Sequence, residues 1–366
     1  MTAPFVLAAG GTGGHLFPAQ ALAGELMRRG RRVVVMTDGR GHNYGNAFPG
    51  AEIATVPAAT FTGRSALGRV AAFGVIALGV AAAFLKLLNL RPRAVVGFGG
   101  YPSLPVMLAA SLAHVPTALH EQNAVLGRVN RMLAPRVAKI AANFPFVRFA
   151  PNHPERVVFT GNPVRAEAAA LRAAPYFPPG PNEPIRLLIF GGSQGARALS
   201  EIVPAALARL PEDLRARLEI TQQARAEDVE MVQNAYRSAG LKADVAKFFI
   251  DLPRRMAASH LVIARSGAST LSELTVIGRP SILVPYPHAM DDHQAANAAV
   301  LEKAGAAWVI KQDSLNAEVL AQKLTELFTH PKMLSNCAEA AKALGHGDAA
   351  ARLADLAETL GQAGSA

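Results

Sequence analysis

Two glycine-rich turns are the first places in this chain where chemistry is expected. One covers residues 10–15 and the other residues 191–196, and each lies between a short apolar run and a helical pattern. Unpaired backbone N–H groups and the positive end of the helix dipole both point at such a turn, which makes it a binding site for anions. The sequence therefore predicts two phosphorylated ligands, or one ligand that both turns hold.

Two polar groups in the first half could carry proton transfer. His15 directly follows the first glycines, and at a helix start the dipole lowers the pKa of an imidazole and keeps it neutral. The run His120-Glu121-Gln122-Asn123 follows an apolar strand pattern and is poor core material. We interpret His15 as the best candidate for a general base. A capping histidine and a polar loop are the structural alternatives for the two groups.

A third group lies in the second half, where an apolar run at residues 261–264 leads into residues 266–273. Small residues at the start of this predicted helix leave several N–H groups open to a diphosphate, and the early Glu273 can accept two ribose hydroxyls. Ordinary capping by serine and threonine, with Glu273 compensating the dipole, explains the same residues equally well. The residues alone leave both interpretations open.

Spacing disfavours several other chemistries. The dinucleotide pattern G-x-G-x-x-G, counted from Gly11, requires glycine where Leu16 stands, although Asp38 lies where a ribose-binding acid would be expected. No Walker pattern occurs, and Asp291-Asp292-His293 has no further ligand cluster at metal spacing. We therefore expect no cofactor and no metal. The charge of a leaving diphosphate would be met by helix N-termini and by Arg165.

Composition limits the class of protein and of partner. At 366 residues, 51% of them hydrophobic, the chain is long enough for two or three domains. A formal charge of +10 favours an anionic partner, but the chain has no basic stripe with interleaved aromatics, so we expect no nucleic-acid binding.

The single cysteine, Cys337, excludes an intrachain disulfide and fits a reducing cytosol. No basic region precedes the first apolar run, so a signal peptide is not expected.

Apolar runs alternate with helical patterns, which predicts an α/β fold with parallel strands. We place the domain junction near residues 161–165, before a proline-rich stretch, and expect residues 348–360 to pack one helical face on a neighbour. Strands are predicted in the first half at residues 5–9, 32–37, 94–98 and 117–120, and in the second half at residues 185–190, 217–222, 247–250, 261–264, 281–286 and 307–310.

Residues 70–85 are apolar throughout and are flanked by cations. At 16 residues the stretch falls short of the roughly 18 to 20 that span a bilayer as a helix. One interpretation is a buried crossover helix. The other is a helix whose outer face lies in the membrane interface, held near anionic lipids by the flanking cations.

Six motifs in order resemble the MurG family of bacterial N-acetylglucosaminyltransferases, at residues 9–15, 99–103, 120–123, 161–165, 191–196 and 265–268. The resemblance extends through residues 301–306 and so covers nearly the whole chain. It implies two facing doubly wound (Rossmann-like) α/β domains of the GT-B type. The first would cover residues 1–162 and face acceptor and membrane, the second would cover residues 163–345 and bind the nucleotide sugar, and a helix at 346–366 would pack back on the first.

The implied reaction transfers N-acetylglucosamine from UDP-GlcNAc to the C4 hydroxyl of the muramoyl sugar of lipid I. The product is lipid II, with inversion at the anomeric carbon. By position, His15 serves as the base and Glu121 assists it, while Glu273 holds the ribose and Ile250 pairs its backbone with uracil. The remaining donor contacts implied by the resemblance are Thr12, Gly13, Gly14 and Asn123 at the sugar from the first domain, Gln294 at the sugar hydroxyls, and Arg165, Ser193, Ala268, Ser269, Thr270, Leu271 and Ser272 at the phosphates.

The resemblance also implies a peripheral protein on the cytoplasmic face of the cell inner membrane. Its partners would be UDP-GlcNAc, lipid I, the membrane surface and other cell-wall synthesis proteins. The family interleaves basic residues through the apolar stretch, whereas residues 70–85 carry none here, so attachment would depend more on burial than on charge. A soluble UDP-GlcNAc epimerase and a non-catalytic nucleotide-sugar sensor are the competing hypotheses.

Overall fold

The computed structural model describes residues 2–10, 13–39, 48–60, 65–192 and 195–363. The predicted contacts of Thr12 and Ser193 therefore lie outside the described residues. The chain divides into two compact units. The first unit comprises Met1–Arg165 and Asp348–Ala366, and the second comprises Ala166–Gly347.

The first unit is built on a parallel sheet of seven strands in the order β3-β2-β1-β4-β5-β6-β7. The strand order reverses between β1 and β4, and at such a point the loops after the two strands diverge and leave room for a ligand. Buried residues on both faces explain why most of these strands are continuous apolar runs. The strands are β1 Phe5–Ala8, β2 Val33–Thr37, β3 Glu52–Thr55, β4 Ala94–Gly97, β5 Thr117–Glu121, β6 Lys139–Ala142 and β7 Val157–Phe159.

Five helices cover this sheet: α1 Gly13–Arg28, α2 Ala66–Leu90, α3 Ser103–Leu112, α4 Arg128–Leu133 and, from the end of the chain, α14 Ala349–Ala363. The helix α14 buries Leu353, Ala354 and Ala357 in one core cluster with side chains of β1 and α1. At its exposed side, the Arg29 guanidinium at the end of α1 donates to Asp355 and Glu358 at 2.6 and 2.7 Å. Apolar burial and ion pairs therefore fix the end of the chain on the first unit.

The helix α2 is longer than the apolar stretch in the sequence suggested. It has 25 residues, and Gly68–Leu90 is the one helical segment among the described residues that is long and apolar enough to cross a membrane. Flanking residues extend the helix beyond the 16-residue stretch, so its length and composition alone do not exclude a span. It connects β3 to β4, and Ala72, Ile76, Ala83 and Leu87 are buried. A Cβ on Gly79 would lie 2.0 Å from the Pro57 carbonyl oxygen, so glycine permits the close approach.

The second unit contains a parallel sheet of six strands in the order β10-β9-β8-β11-β12-β13. Its strands are β8 Ile185–Phe190, β9 Leu218–Gln223, β10 Ala243–Ala246, β11 Leu261–Ala264, β12 Ser281–Leu283 and β13 Trp308–Val309. Its helices are α5 Ala166–Ala170, α6 Arg197–Leu207, α7 Glu212–Arg215, α8 Val229–Ser238, α9 Leu252–Ala258, α10 Ala268–Ile277, α11 His293–Lys303, α12 Ala317–Thr329 and α13 Pro331–Leu344.

The strand predicted at residues 247–250 is wrong. The edge strand β10 ends at Ala246, and the apolar residues after it belong to a connection in which Phe248 and Ile250 are exposed. An apolar run indicates a strand only where a core covers it, and in this run Phe249 is buried but its neighbours Phe248 and Ile250 are exposed.

The packing of α14 gives a stability prediction. We expect Leu353→Ala to lower the free energy of unfolding of the first unit by about 2 to 5 kcal/mol, because the side chain is fully buried. The matched control is Arg352→Ala, whose guanidinium makes only an exposed ion pair with Asp348 and whose loss should cost less than about 1 kcal/mol. Urea unfolding of both variants measures the difference. Equal midpoints for the two variants would contradict the assignment of α14 to the core of the first unit.

Candidate active site

In the first unit, candidate site residues meet at the carboxyl ends of β1, β4 and β5. The turn after β4 contains Gly99 and Gly100, whose φ values of 83° and 73° favour glycine. A Cβ on Gly99 would lie 3.4 Å from His15 Cε1, and one on Gly100 would lie 3.3 Å from His15 Cδ2. The imidazole of His15 therefore lies against a glycine surface that any side chain would crowd.

The residue that contacts this imidazole is Gln122, immediately after β5. Its Oε1 lies 3.2 Å from Nδ1 of His15. Its Nε2 donates to the Phe98 carbonyl oxygen at 3.0 Å and lies 3.1 Å from Nδ1 of His120. On the far side, Nε2 of His120 lies 3.3 Å from the Gly161 carbonyl oxygen. These groups form a continuous hydrogen-bonded chain from His15 to Gly161.

His120 is fully buried within this chain, and burial is the main reason that its pKa falls to about 4. The hydrogen bond to Gly161 raises the pKa and the proximity of His15 lowers it further. The His120 imidazole is therefore neutral at physiological pH.

Glu121 has a different set of contacts. Its Oε1 accepts from the backbone N–H of Asn123 at 3.0 Å and from the Asn123 amide at 3.2 Å. Its Oε2 accepts from Gly127 N at 2.8 Å and from Asn130 Nδ2 at 2.9 Å. This buried carboxylate thus shapes the loop that leads into α4 and fixes the Asn123 side chain.

Within the run at residues 120–123, individual roles were predicted for Glu121 and Asn123 but not for Gln122 or His120. The alternation of side chains along a strand could have distinguished His120 and Gln122 from Glu121, because alternate side chains point to opposite faces of a sheet. His120 and Gln122 then share one face, and Glu121 takes the other. Arg165, the predicted phosphate contact in the first unit, has its guanidinium carbon 5.2 Å from the centre of the Phe17 ring on α1.

In the second unit, candidate donor residues surround the start of α10. Gly267 is the N-cap and contributes no side chain, so no capping side chain competes for the first N–H groups of the helix. The Ser269 hydroxyl is buried and has no hydrogen-bond partner in the described part of the chain. Ser272 donates to the Ala268 carbonyl oxygen at 2.9 Å, and Glu273 is buried beside it. A helix start with unused donors is typical of an anion site.

Two further residues connect this helix start to neighbouring segments. Ser266 donates to the Gln294 carbonyl oxygen at 2.9 Å, and the Gln294 side chain accepts from Tyr286 N at 3.0 Å. Among the described residues, the buried guanidinium of Arg265 donates to neutral oxygens, on Val284, Pro285 and Gln312. Burial lowers the pKa of Arg265, which lies two residues before the N-cap Gly267 of α10.

The structure therefore distributes the predicted residues over two groups. His15, Gly13, Gly14, Glu121, Asn123 and Arg165 belong to the first unit. Ala268, Ser269, Thr270, Leu271, Ser272, Glu273, Gln294 and Ile250 belong to the second. The Ile250 side chain is 85% exposed in the connection after β10. Because this side chain has no polar atom, any hydrogen bond to a ligand would come from the Ile250 backbone.

Family models match both units. The N-terminal domain model of glycosyltransferase family 28 matches residues 5–142, and the C-terminal domain model matches residues 186–358. Two similar curated relatives are both named UDP-N-acetylglucosamine--N-acetylmuramyl-(pentapeptide) pyrophosphoryl-undecaprenol N-acetylglucosamine transferase. The relative from Rhodospirillum centenum is 53% identical, with 99% of this chain and 95% of the relative covered. The relative from Methylobacterium sp. strain 4-46 is 55% identical, with 96% and 95% covered.

Solved structures agree with these matches. MurG of Acinetobacter baumannii superposes with a TM-score of 0.79 at 30% identity, covering 98% of this chain and all of that one. The calicheamicin glycosyltransferase CalG4 superposes with a TM-score of 0.67 at 18% identity over 98% of both chains, which shows the fold alone. The predicted architecture of two Rossmann-like domains of the GT-B type is thereby confirmed. The chain belongs to glycosyltransferase family 28 and, within it, to the MurG family of N-acetylglucosaminyltransferases.

Proposed function

We propose that this chain transfers N-acetylglucosamine from UDP-GlcNAc to the C4 hydroxyl of the muramoyl sugar of lipid I and so produces lipid II with inversion. The observation that carries the proposal is identity of 50% to 55% with transferases of that name along nearly the whole chain. The residues of both units supply the two functions that such a transfer requires, namely binding of a nucleotide diphosphate and deprotonation of a hydroxyl.

The second unit, at residues 163–345 in the predicted division, is the proposed binding domain for UDP-GlcNAc. The diphosphate would lie at the start of α10, among Ala268, Ser269, Thr270, Leu271 and Ser272. The unused Ser269 hydroxyl and the N-cap Gly267 support this position. Glu273 would accept the ribose hydroxyls, the backbone of Ile250 would pair with uracil, and Gln294 would hold hydroxyls of the donor sugar.

Charge in the second unit also suits a departing diphosphate. Inverting displacement breaks the bond from the anomeric carbon to the phosphate oxygen, so UDP leaves with an additional negative charge. The first N–H groups of α10 and the buried Arg265 guanidinium provide fixed positive potential for that charge. Arg165 and Ser193 are the further phosphate contacts that we propose.

The first unit, at residues 1–162 with the helix at 346–366, would bind the acceptor and present the base. His15 would take the proton of the acceptor hydroxyl through its imidazole. Thr12, Gly13 and Gly14 would contact the sugar from the glycine turn, together with Asn123. The contacts of Glu121 support a role in shaping the Asn123 loop, by which it assists His15 indirectly.

One assay distinguishes this function from the two alternatives. The protein is incubated with radiolabelled UDP-GlcNAc and a lipid I analogue, and the products are separated. A lipid-linked disaccharide supports the transferase. Free epimerised sugar would instead support an epimerase, and bound donor without any product would support a sensor.

The same assay tests the proposed base. We expect His15→Ala to lower kcat by about 10²-fold to 10⁴-fold, because the acceptor hydroxyl loses its general base. The donor KM should change less than kcat, since the proposed contacts with the uracil and the ribose lie in the other unit. The control is His330→Ala, an exposed residue between α12 and α13. A turnover of His15→Ala near the control value would remove His15 from the mechanism.

We also propose a peripheral position on the cytoplasmic face of the inner membrane, through the outer face of α2. Large apolar side chains occupy that face, including Val70 at 71% exposure and Leu78 at 67%. Only 28% of the most apolar part of the helix is buried. Lys86 and Arg91 lie near its C-terminal end, where cations favour anionic head groups.

Binding to vesicles checks this proposal. We expect the protein to sediment with vesicles of anionic phospholipid even in high salt, because buried apolar area is insensitive to screening. The substitution Leu78→Glu should move most of the protein to the supernatant. The matched control is Val319→Glu, which changes an exposed apolar residue of α12 in the second unit. Recovery of the wild type in the supernatant at every salt concentration would contradict the proposal.

A further inference from the structure

We propose that Gln122 and His120 are positioning residues that fix His15 in the tautomer with the proton on Nδ1, so that Nε2 is the nitrogen that accepts the acceptor's proton. This inference rests on the proposed role of His15 as the base. It adds two residues to the reaction and assigns the chemistry to one nitrogen of the ring.

The backbone determines which end of the Gln122 amide faces His15. One end lies 3.0 Å from the Phe98 carbonyl oxygen and 3.3 Å from the His120 carbonyl oxygen. Carbonyl oxygens only accept hydrogen bonds, so this end must be the NH₂ group. The opposite end, 3.2 Å from His15, is therefore the amide oxygen. A flipped amide would place oxygen against two oxygens and leave the buried NH₂ group without acceptors.

The orientation of this amide fixes the protons of His15. An amide oxygen only accepts, so Nδ1 of His15 must donate to it. A neutral imidazole carries one N–H, which leaves its lone pair on Nε2. In the transfer, Nε2 takes the proton of the acceptor hydroxyl, whose oxygen forms the bond to the anomeric carbon as UDP departs with the electron pair of the broken bond. The resulting imidazolium still donates from Nδ1 to Gln122.

His120 contacts the NH₂ end of the Gln122 amide, and the same argument from donors and acceptors gives its tautomer. Its Nε2 lies 3.3 Å from the Gly161 carbonyl oxygen and must donate there, so Nδ1 is the acceptor for the Gln122 NH₂ group at 3.1 Å. A protonated His120 could not accept this bond. Its full burial disfavours the charged form, which keeps the acceptor in place. His15 and His120 are therefore expected to hold opposite tautomers.

The glycine turn after β4 prevents the His15 ring from leaving this arrangement. The ring edges at Cε1 and Cδ2 lie next to Gly99 and Gly100, so rotation of the ring about χ2 would meet the turn. The neighbouring carboxylate of Glu121 accepts hydrogen bonds from Asn123, Gly127 and Asn130, and the side chain that contacts Nδ1 of His15 is Gln122. The base is thus oriented by a neutral amide, which fixes the tautomer without adding a negative charge beside the imidazole.

The decisive measurement is the tautomer of His15 in full-length protein labelled with ¹⁵N-histidine. Two-bond ¹H–¹⁵N correlation spectra distinguish protonated from unprotonated ring nitrogens, and His15→Gln assigns the signals. We expect the Nδ1–H form for His15 and the Nε2–H form for His120 in the wild type. In Gln122→Met, which keeps the volume but removes both hydrogen-bonding atoms, the His15 signals should show a mixture of tautomers.

Kinetics provide the second readout. Gln122→Met should lower kcat by about 10-fold to 100-fold, because the Nε2–H form, which presents the wrong nitrogen, becomes the major tautomer and the ring loses the contact that orients it. Gln122→Glu keeps an acceptor oxygen for Nδ1 and should retain the Nδ1–H tautomer of His15, but its second oxygen faces the Phe98 and His120 carbonyl oxygens, so we expect it to be less stable than the wild type. The matched control is Gln222→Met. Gln222 is equally buried, donates to the Leu199 carbonyl oxygen and accepts from Tyr236 in the second unit.

Three results would overturn the proposal. One is an Nε2–H tautomer of His15 in the wild type. Another is a kcat of Gln122→Met within twofold of the wild type, and the third is an equal loss of kcat in Gln222→Met, which would indicate destabilisation alone. A wild type that forms no disaccharide would refute the proposed function instead. The tautomer spectra would then still decide whether Gln122 orients His15.

Discussion

The first unit's candidate site depends on one buried contact, the hydrogen bond from the Gln122 amide to the Phe98 carbonyl oxygen. It joins the ends of the two neighbouring strands β5 and β4 beyond their last ladder pair. Because a buried NH₂ group without an acceptor costs about 1 to 3 kcal/mol, this bond also fixes the direction of the amide oxygen. The positions of the ring protons of His15 and His120 follow from that direction.

The two units differ in the groups that surround their proposed reactive atoms. The group that contacts Nδ1 of His15 is the neutral amide of Gln122, so a neutral acceptor sets the proton on that nitrogen. At the start of α10, the helix dipole and the Arg265 guanidinium add positive potential, and within the described residues this guanidinium donates to no carboxylate. Positive potential at that place stabilises a departing diphosphate.

The sequence predicted most of the strands whose residues are buried on both faces, although it missed the buried strand β6. The central strands β1, β8 and β11 are short apolar runs before a turn, and the structure confirms them at nearly the predicted bounds. The edge strand β3 was missed because its four residues are only partly covered and carry no apolar run. At β10 the prediction was displaced onto exposed apolar residues. An apolar pattern in the sequence indicates a buried strand, and strands at the edge of a sheet are only partly buried.

The same limit applies to the site. His15 was identifiable because a glycine turn and a helix start are local features, whereas its contact with Gln122 spans 107 residues and depends on which strands are neighbours. Once β4 and β5 are known to be adjacent, alternation along β5 separates His120 and Gln122 from Glu121. The role predicted for Glu121 came from the family resemblance, which implied no role for Gln122 or His120. In a buried network, however, an amide that can both donate and accept can set the proton of a base, which a carboxylate with four donors around it cannot do.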